Sequence, residues 1–534
     1  MAPGAAGATS APTTGAEPVV VLTPISAELG LFDIEFSFAG AVSEAVALIG
    51  LGDNQAMEPV PAGLEPLLAP LLALESTEEG LARFRGRAML PEAWRSQEVS
   101  FRVSYRAGSE RRSTAPCRVE LGVPELSRVP AWAIGATWYQ VFPERFRDGD
   151  PANNPGGPLV APLAWNSDFS VVSVEEIERA WSRQRAGESR SHGGWNAPGG
   201  ARRATIYQRR YGGDLIGLVE ALPHIESLGV SAVYLCPIFE SSSLHKYDAS
   251  DFLHVDRAFG PAENAGTVRR PNSDWSRADR YFIDTVLPTF RGRSIRLVLD
   301  GVWNHTGLDH WAFKDVADHG RESAYADWYA VRFDSSGELV GWQAWDRTNG
   351  SLPEFRQTGE GDLNAGVSSH IFEVTRRWMD PNGDGDPSDG IDGWRLDVAP
   401  EIGMAFWEKW RRHVRSINPD AALYGEIWFD AGPWFGGKAF DAQMNYPFAV
   451  AVLEWCAGAS RTSSGRLGER LMRVFSHHPS HDLAQMNLLG SHDTPRVLSM
   501  LSRPNAAYDD GETASSLGRE SLTGRPSAET LGRM

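Results

Sequence analysis

The rhythm of apolar and polar positions changes once along this chain, near residue 136. Before that point, "FDIEFSFAG" and "EVSFRVSYRAG" alternate apolar and polar residues and end in turn formers. That is the pattern of half-buried strands. Residues 18–128 are therefore expected to form an immunoglobulin-like β-sandwich, behind a Pro/Gly-rich disordered leader at 1–17. Beyond it, strand patterns alternate with helical ones. "TWYQVFPERF" reads as a strand, "GDLIGLVEALPHIESLGV" as a helix, "SAVYLCPIFE" as a strand, "ADRYFIDTVLPTFRGRS" as a helix and "IRLVLDGVWNH" as a third strand. After an irregular stretch and a helix near Ser369 to Met379 come "GIDGWRLDVAPEI", "AALYGEIWF", "AFDAQMNYPF" and "AQMNLLGSHDT", strands four to seven. Strand–helix alternation in this order, with polar strand ends, predicts an α/β fold of the (β/α)₈ TIM-barrel type over residues 129–534. Its eighth strand is missing from the pattern.

Composition narrows the chemistry. The net charge of −18 argues against a nucleic-acid partner. No apolar run reaches the length of a membrane span, and the N-terminus lacks the basic and apolar segments of a signal peptide. Three scattered cysteines suggest a reduced, cytoplasmic setting. Nineteen tryptophans hint at a carbohydrate enzyme, since indole faces stack on sugars, although large cores also use Trp.

The polar residues at the strand ends are Asp300, Asn304, His305, Arg395, Asp397, Glu426, His492 and Asp493. Arg395 and Asp397 lie two apart on one strand and so share a face. A structural ion pair would explain them, and so would a carboxylate held ready for chemistry. Asp397, Glu426 and Asp493 should converge from strands four, five and seven. Gathered acids raise one another's pKa and need a reason to be together. Retaining glycosidic cleavage supplies one, with an ionised nucleophile beside a protonated acid. On this reading Arg395 keeps Asp397 ionised. The apolar flank of Ile427 and Trp428 raises the pKa of Glu426.

"DGVWNH", "GWRLDVA", "GEIW" and "LLGSHD", in this order, resemble the motifs of the α-amylase family of glycoside hydrolases over roughly residues 130–500. The resemblance implies Asp397 as nucleophile, Glu426 as acid/base and Asp493 as transition-state stabiliser. Asp300, Asn304, His305, Arg395, His492 and Arg496 would support the substrate. It also implies a small domain inserted after strand 3, about residues 306–368. "SLHKYDASDF", "FDAQMNYPF" and the N-terminal β domain resemble the cyclomaltodextrinase, maltogenic amylase and neopullulanase branch. There His245 and Tyr247 would line the subsite of the cleaved glucose. The substrates implied are maltooligosaccharides, cyclodextrins or pullulan, through α-1,4 or α-1,6 bonds. A homodimer through the N-terminal domain is implied as well. Two departures bear on substrate choice: "LPEF", Leu352 to Phe355, stands near the family's "MPKLN", and Phe429 replaces His after "GEIW".

The same resemblance implies a structural Ca²⁺ at Asp148, Asp150, Asn153, Asn154, Gly212 and Asp214, where a solvated Asx-turn cluster is the alternative. "DPNGDGDPSDG" opens like a second calcium loop, with Asp380, Asn382, Asp384 and Asp386, but lacks the acid at its twelfth position. No organic cofactor is implied. The alternatives are an α-glucosidase or glucanotransferase of the same family, or an inactive, truncated carbohydrate-binding relative. Because the family pattern continues through an eighth strand and a C-terminal β domain, the sequence is expected to be a piece of a longer reading frame. As written it is expected to be unstable and nearly inactive.

Overall fold

The computed structural model describes residues 128–155, 173–178, 209–263, 274–347, 350–457, 463–494 and 496–502, together with the backbone of strands between Val19 and Val119. The chain divides into two compact units, the first built on residues 1–128 and the second on residues 129–477 and 481–534. In the first, Val19–Ser26, Leu31–Ala39, Leu81–Met89 and Ala73–Glu78 form one antiparallel sheet in that order. Glu58–Pro59, Val42–Leu51, Val99–Ala107 and Glu110–Ser113 form another, and Cys117–Val119 also pairs with Val99–Ala107. The alternation read there as strands is found as strands. The expected sandwich packing and the leader lie outside the described residues.

The second unit is a nearly closed parallel sheet of seven strands among the described residues: β1 Trp138–Val141, β2 Ala232–Leu235, β3 Arg296–Gly301, β4 Gly393–Leu396, β5 Ala422–Gly425, β6 Ala442–Asn445 and β7 Met486–Asn487, paired in chain order. Strands β2, β4, β5 and β6 are buried at every position, as expected where helices cover one face and the barrel interior the other. The sheet curls until its far sides meet: the Trp138 ring of β1 packs edge-on against Tyr424 of β5 at 4.8 Å. Helices start where the sequence offers caps. Asp214 accepts from Gly217 N (2.6 Å) ahead of Leu215–Glu220, Ser276 and Asp279 form a capping box, and Asn364 caps Ala365–Met379.

Several strands are shorter than their sequence patterns. β6 stops at Asn445 because Tyr446 opens helix Tyr446–Ala457, with Asn445 Oδ1 accepting from Phe448 N at 3.1 Å. β7 keeps two residues, since Pro479–Ala484 is helical. The stretch after His305, read as irregular, holds helix Trp311–His319 and the antiparallel pair Val331–Phe333 and Leu339–Trp342. An antiparallel pair that the pattern did not suggest, Phe239–Ser241 with Ala249–Val255, carries the "SLHKYD" turn.

Register decides which side chains meet. Asp300 pairs with Arg395 across β3 and β4, and Arg395 with Tyr424 across β4 and β5. Below the site, the fully buried Asp441 receives Arg411 (2.7 Å), Arg415 (2.8 Å) and Leu423 N (2.9 Å), tying helix Met404–Ile417 to β5 and β6. Burial alone would raise its carboxyl; the two guanidiniums and the backbone bond outweigh that and hold it below the usual range. Its contribution is therefore present above the unfolded value of about 3.9 and lost as pH falls through the lower folded value. Asp441→Asn should lower the melting temperature at pH 7 and flatten its fall below about pH 4. Thermal melts across pH measure this, and parallel pH curves for the two proteins would count against it. Among the described residues, no helix is long and apolar enough to cross a membrane.

Candidate active site

Arg395 stands at the centre of the polar cluster and is fully buried. Its Nη1 meets Asp300 Oδ1 at 2.8 Å and Asp397 Oδ1 at 2.9 Å. Its Nη2 lies 3.0 Å from Glu426 Oε2, an ion pair whose angle falls short of a hydrogen bond. One planar fork thus touches three carboxylates, a role for which guanidinium geometry suits. Asp397 N bonds Gly301 O (3.0 Å) and Glu426 N bonds Leu396 O (2.9 Å), so the ladder carries on past the strand ends and fixes both acids. The shared face read for Arg395 and Asp397 is what the barrel presents.

Next to Asp397 the backbone is strained. Val398 has φ 39° and ψ 44°, left-handed values that a β-branched residue seldom adopts. That bend aims Val398 N at Glu426 Oε2 (2.8 Å), while Trp428 Nε1 donates to Oε1 (3.2 Å). Trp428 in turn lies flat on Tyr446, with centroids 3.8 Å apart. The expected apolar flank of Glu426 is therefore partly a hydrogen-bonding one.

The carboxyl pushed well above its ordinary value is Asp397, by burial first and by the charge of Glu426 second, with Arg395 opposing. The sequence reading expected Arg395 to keep Asp397 ionised; burial and the neighbouring carboxylates outweigh the guanidinium here. The charge of Asp300 on the other side of Arg395 opposes ionisation of Asp397 as well. Burial also raises Asp300, against Arg395 and two tyrosine hydroxyls that stabilise its charge. Asp493 is raised to about 7 by burial and then by Glu426. Its side chain is 41% exposed at the mouth, where water screens part of that effect.

Two residues that the sequence reading passed over complete the cluster. Tyr234 of β2 donates to Asp300 Oδ2, and Gln140 of β1 meets His492 Nδ1 at 2.7 Å. Gln140 was findable as a lone amide inside a buried strand pattern. Tyr234 was not, since a tyrosine there reads equally well as core. Tyr247 bonds Asp300 (2.9 Å) and His492 Nε2 (2.8 Å), and its ring stacks on His492 at 6°. His492 Nε2 also lies 3.2 Å from Asp493. His245, 40% exposed, stacks on Tyr247. His305 is buried, its ring beside Trp345 (5.8 Å) and its Nε2 without a hydrogen-bond partner among the described residues. Burial lowers its pKa to about 4, so it is neutral near pH 7. Asn304 Nδ2 contacts His305 Nδ1 at 3.3 Å. Arg496 is exposed, donates to Ser491 O at 3.4 Å, and lies near enough for its charge to act on His492.

A family model described as the catalytic domain of alpha amylase matches residues 140–517. The chain belongs to the alpha-amylase family. Neopullulanase 2 of Thermoactinomyces vulgaris is 34% identical over 387 residues, 72% of this chain and 54% of that protein. A cyclomaltodextrinase of Geobacillus thermopakistaniensis is 32% identical, over 70% of this chain and 52% of its own length. The chain thus spans about half the length of these relatives. Among solved structures, the cyclic α-maltosyl-(1→6)-maltose hydrolase of Arthrobacter globiformis superimposes with TM-score 0.53 at 29% identity, covering 70% of this chain and 68% of that one.

The departures from the family motifs flank this site. Glu354 of "LPEF" bridges His305, and Phe355 N bonds Asn304 O (3.0 Å), so the segment seats the end of β3. Phe429 is 53% exposed, just past Glu426.

The loop near residue 150 offers oxygens that suit a metal. Asp148 Oδ1, Asn153 Oδ1 and Asn154 Oδ1 are buried and without hydrogen-bond partners among the described residues. A Cβ at Gly212 would come within 2.2 Å of Asn154 Oδ1, so this close approach needs glycine. Such unmet oxygens fit a hard cation. The other two expected carboxylates have other work: Asp214 takes Gly149 N, Asp150 N, Asn153 Nδ2 and Gly217 N, and Asp150 takes Ala152 N and Ala262 N. In the second loop Asp380, Asn382, Asp384 and Asp386 are gathered by backbone bonds within the turn.

Proposed function

We propose that the chain carries the active site of a retaining α-glucan hydrolase acting on maltooligosaccharides, cyclodextrins or pullulan. The observation that carries this reading is the single guanidinium of Arg395 meeting Asp397 and Glu426 side by side at the strand ends. Retention needs a close carboxyl pair. Asp397 attacks the anomeric carbon while Glu426 gives its proton to the leaving oxygen. Glu426 then takes a proton from the water that releases the sugar. Arg395 holds Asp397 as an anion once Glu426 is protonated. Asp493, His305 Nε2 and His492 bind hydroxyls as the ring flattens, and Tyr247 offers its ring to the sugar in the cleaved position, beside His245. Asn304 orients His305, and Arg496 contacts the acceptor side.

Neopullulanase and cyclomaltodextrinase relatives support the substrate class. A glucanotransferase or α-glucosidase reading is favoured by the exposed Phe429, whose apolar ring would hold an acceptor sugar against water. Product chromatography on cyclodextrin, pullulan and maltotriose separates the two readings. For the acid/base role, Glu426→Gln should lose about 10²–10⁴-fold in rate and recover part of it with azide on a substrate with a good leaving group. Failure of azide to help, with a glycosyl azide product absent, would remove Glu426 from the role.

A structural Ca²⁺ held by Asp148, Asn153, Asn154 and the Gly212 backbone would supply rigidity to the turn after β1 and no step of the reaction. Self-association through residues 18–128 also belongs to this proposal. Light scattering on chains with and without that segment should show a dimer only with it; two monomers would refute it. The intracellular maltogenic amylase of Bacillus subtilis, 29% identical, supports a cytoplasmic setting.

A further inference from the structure

The turn between helix Ala365–Met379 and β4 takes no part in the chemistry above. It places Asp380, Asp384, Asp386 and Asp389 within ten residues, and among the described residues no Lys, Arg or His lies within ion-pair distance of any of them. Asp380 is 7% exposed, and its Oδ1 meets no donor among the described residues. Its Oδ2 accepts Gly385 N at 3.2 Å, so the carboxylate is aimed into the turn. Asp380 also ends its helix, where the partial charge of the backbone is negative and a carboxylate is least welcome. Asp389 repeats the pattern, with its Oδ1 buried and meeting no donor among the described residues. Gly383 and Gly385, at φ 71° and 85°, double the chain back within the turn.

Buried anionic oxygens with no donor and no cation are costly unless an ion joins them. The donor set is all oxygen, and Asp380, Asn382, Asp384 and Gly385 occupy the first, third, fifth and sixth positions of a calcium loop. The twelfth position is the fully buried Ile391, which cannot ligate. Asp389, at the tenth, supplies the opposing carboxylate instead. We propose that this turn is a calcium site, with Asp380, Asn382, Asp384 and Asp389 as side-chain ligands. Among the described residues no three acidic, His or Cys side chains already converge as a finished cage, so the turn closes on the ion by carboxylate rotation. Binding pins the helix end to the entry of β4, the strand that carries Arg395 and leads into Asp397. The site stands apart from the glycosidase reading, since it shares no residue with it.

The test uses the full 534-residue chain and its Asp384→Asn/Asp389→Asn variant. In excess EDTA the variant should melt at the same temperature or higher, because it sheds like charges. Millimolar calcium should raise the melting temperature of the parent by several degrees and that of the variant by less. Equilibrium dialysis against radioactive calcium should count one more bound ion in the parent than in the variant. An Asp148→Asn protein run alongside keeps the loop near residue 150 separate, because it should retain the ion that the variant loses. Equal counts and equal shifts in parent and variant overturn the proposal. So does a variant that already melts lower in EDTA, since that assigns these carboxylates a structural role without metal.

Discussion

Asp397→Asn should leave a folded protein whose turnover on maltooligosaccharides is lower by on the order of 10⁴-fold or more, the scale seen when a covalent catalyst is removed. The fold should survive, for a reason visible in the site. Asp397 is the carboxyl whose ionisation burial and Glu426 oppose most. A neutral amide of the same shape relieves that opposition, and Arg395 keeps Asp300 and Glu426 as partners. The melting temperature at pH 7 should therefore be unchanged or higher. Activity within tenfold of the parent would sink the nucleophile assignment, and a collapsed melt would sink the electrostatic account of the site.

Arg395→Met should have the opposite signature. It leaves Asp300, Asp397 and Glu426 buried around a thioether. Removing one partner of a buried ion pair costs about 3–5 kcal/mol, a large part of a net stability of about 5–15 kcal/mol. The protein should express poorly, melt far below the parent at pH 7 and show no activity. The deficit should shrink as pH falls, since protonated carboxyls need no cation and the Asp300 and Asp397 carboxyls lie above their ordinary range. Melts of both proteins from pH 8 to pH 5 check the sign. A constant deficit across that range would mean that Arg395 acts by packing alone.

Legibility in the sequence divides along physical lines. Barrel strands such as Ala232–Leu235 are buried on both faces and announce themselves as apolar runs, so their order was legible. Charged residues at their ends stood out because nothing apolar explains them, which is why Asp300, Arg395, Asp397 and Glu426 were found. Strand ends were less legible: β6 yields at Tyr446 to a helix that tertiary packing favours. The protonation pattern was the least legible part. Which carboxyl is most opposed depends on the depth of its burial and on how near the barrel brings Glu426 and Asp300 to Asp397. Neither is a property of residue type. Gln140 and Tyr234 escaped because each meets a partner from a different element, at separations of 352 and 66 residues along the chain.

The bonds from Gln140 to His492, His492 to Tyr247 and Tyr247 to Asp300 join β1, the segment that follows β7, and β3. Substrate handling and barrel closure thus draw on the same side chains. A sugar that bonds His492 and stacks on Tyr247 would act as a rivet across the seam between β1 and β7, adding its binding free energy to the cohesion of the fold. The two edges of the sheet would open together more rarely when the cleft is filled. Any loss of affinity for glucan then shows as a smaller gain in resistance to opening at this seam when the cleft is filled.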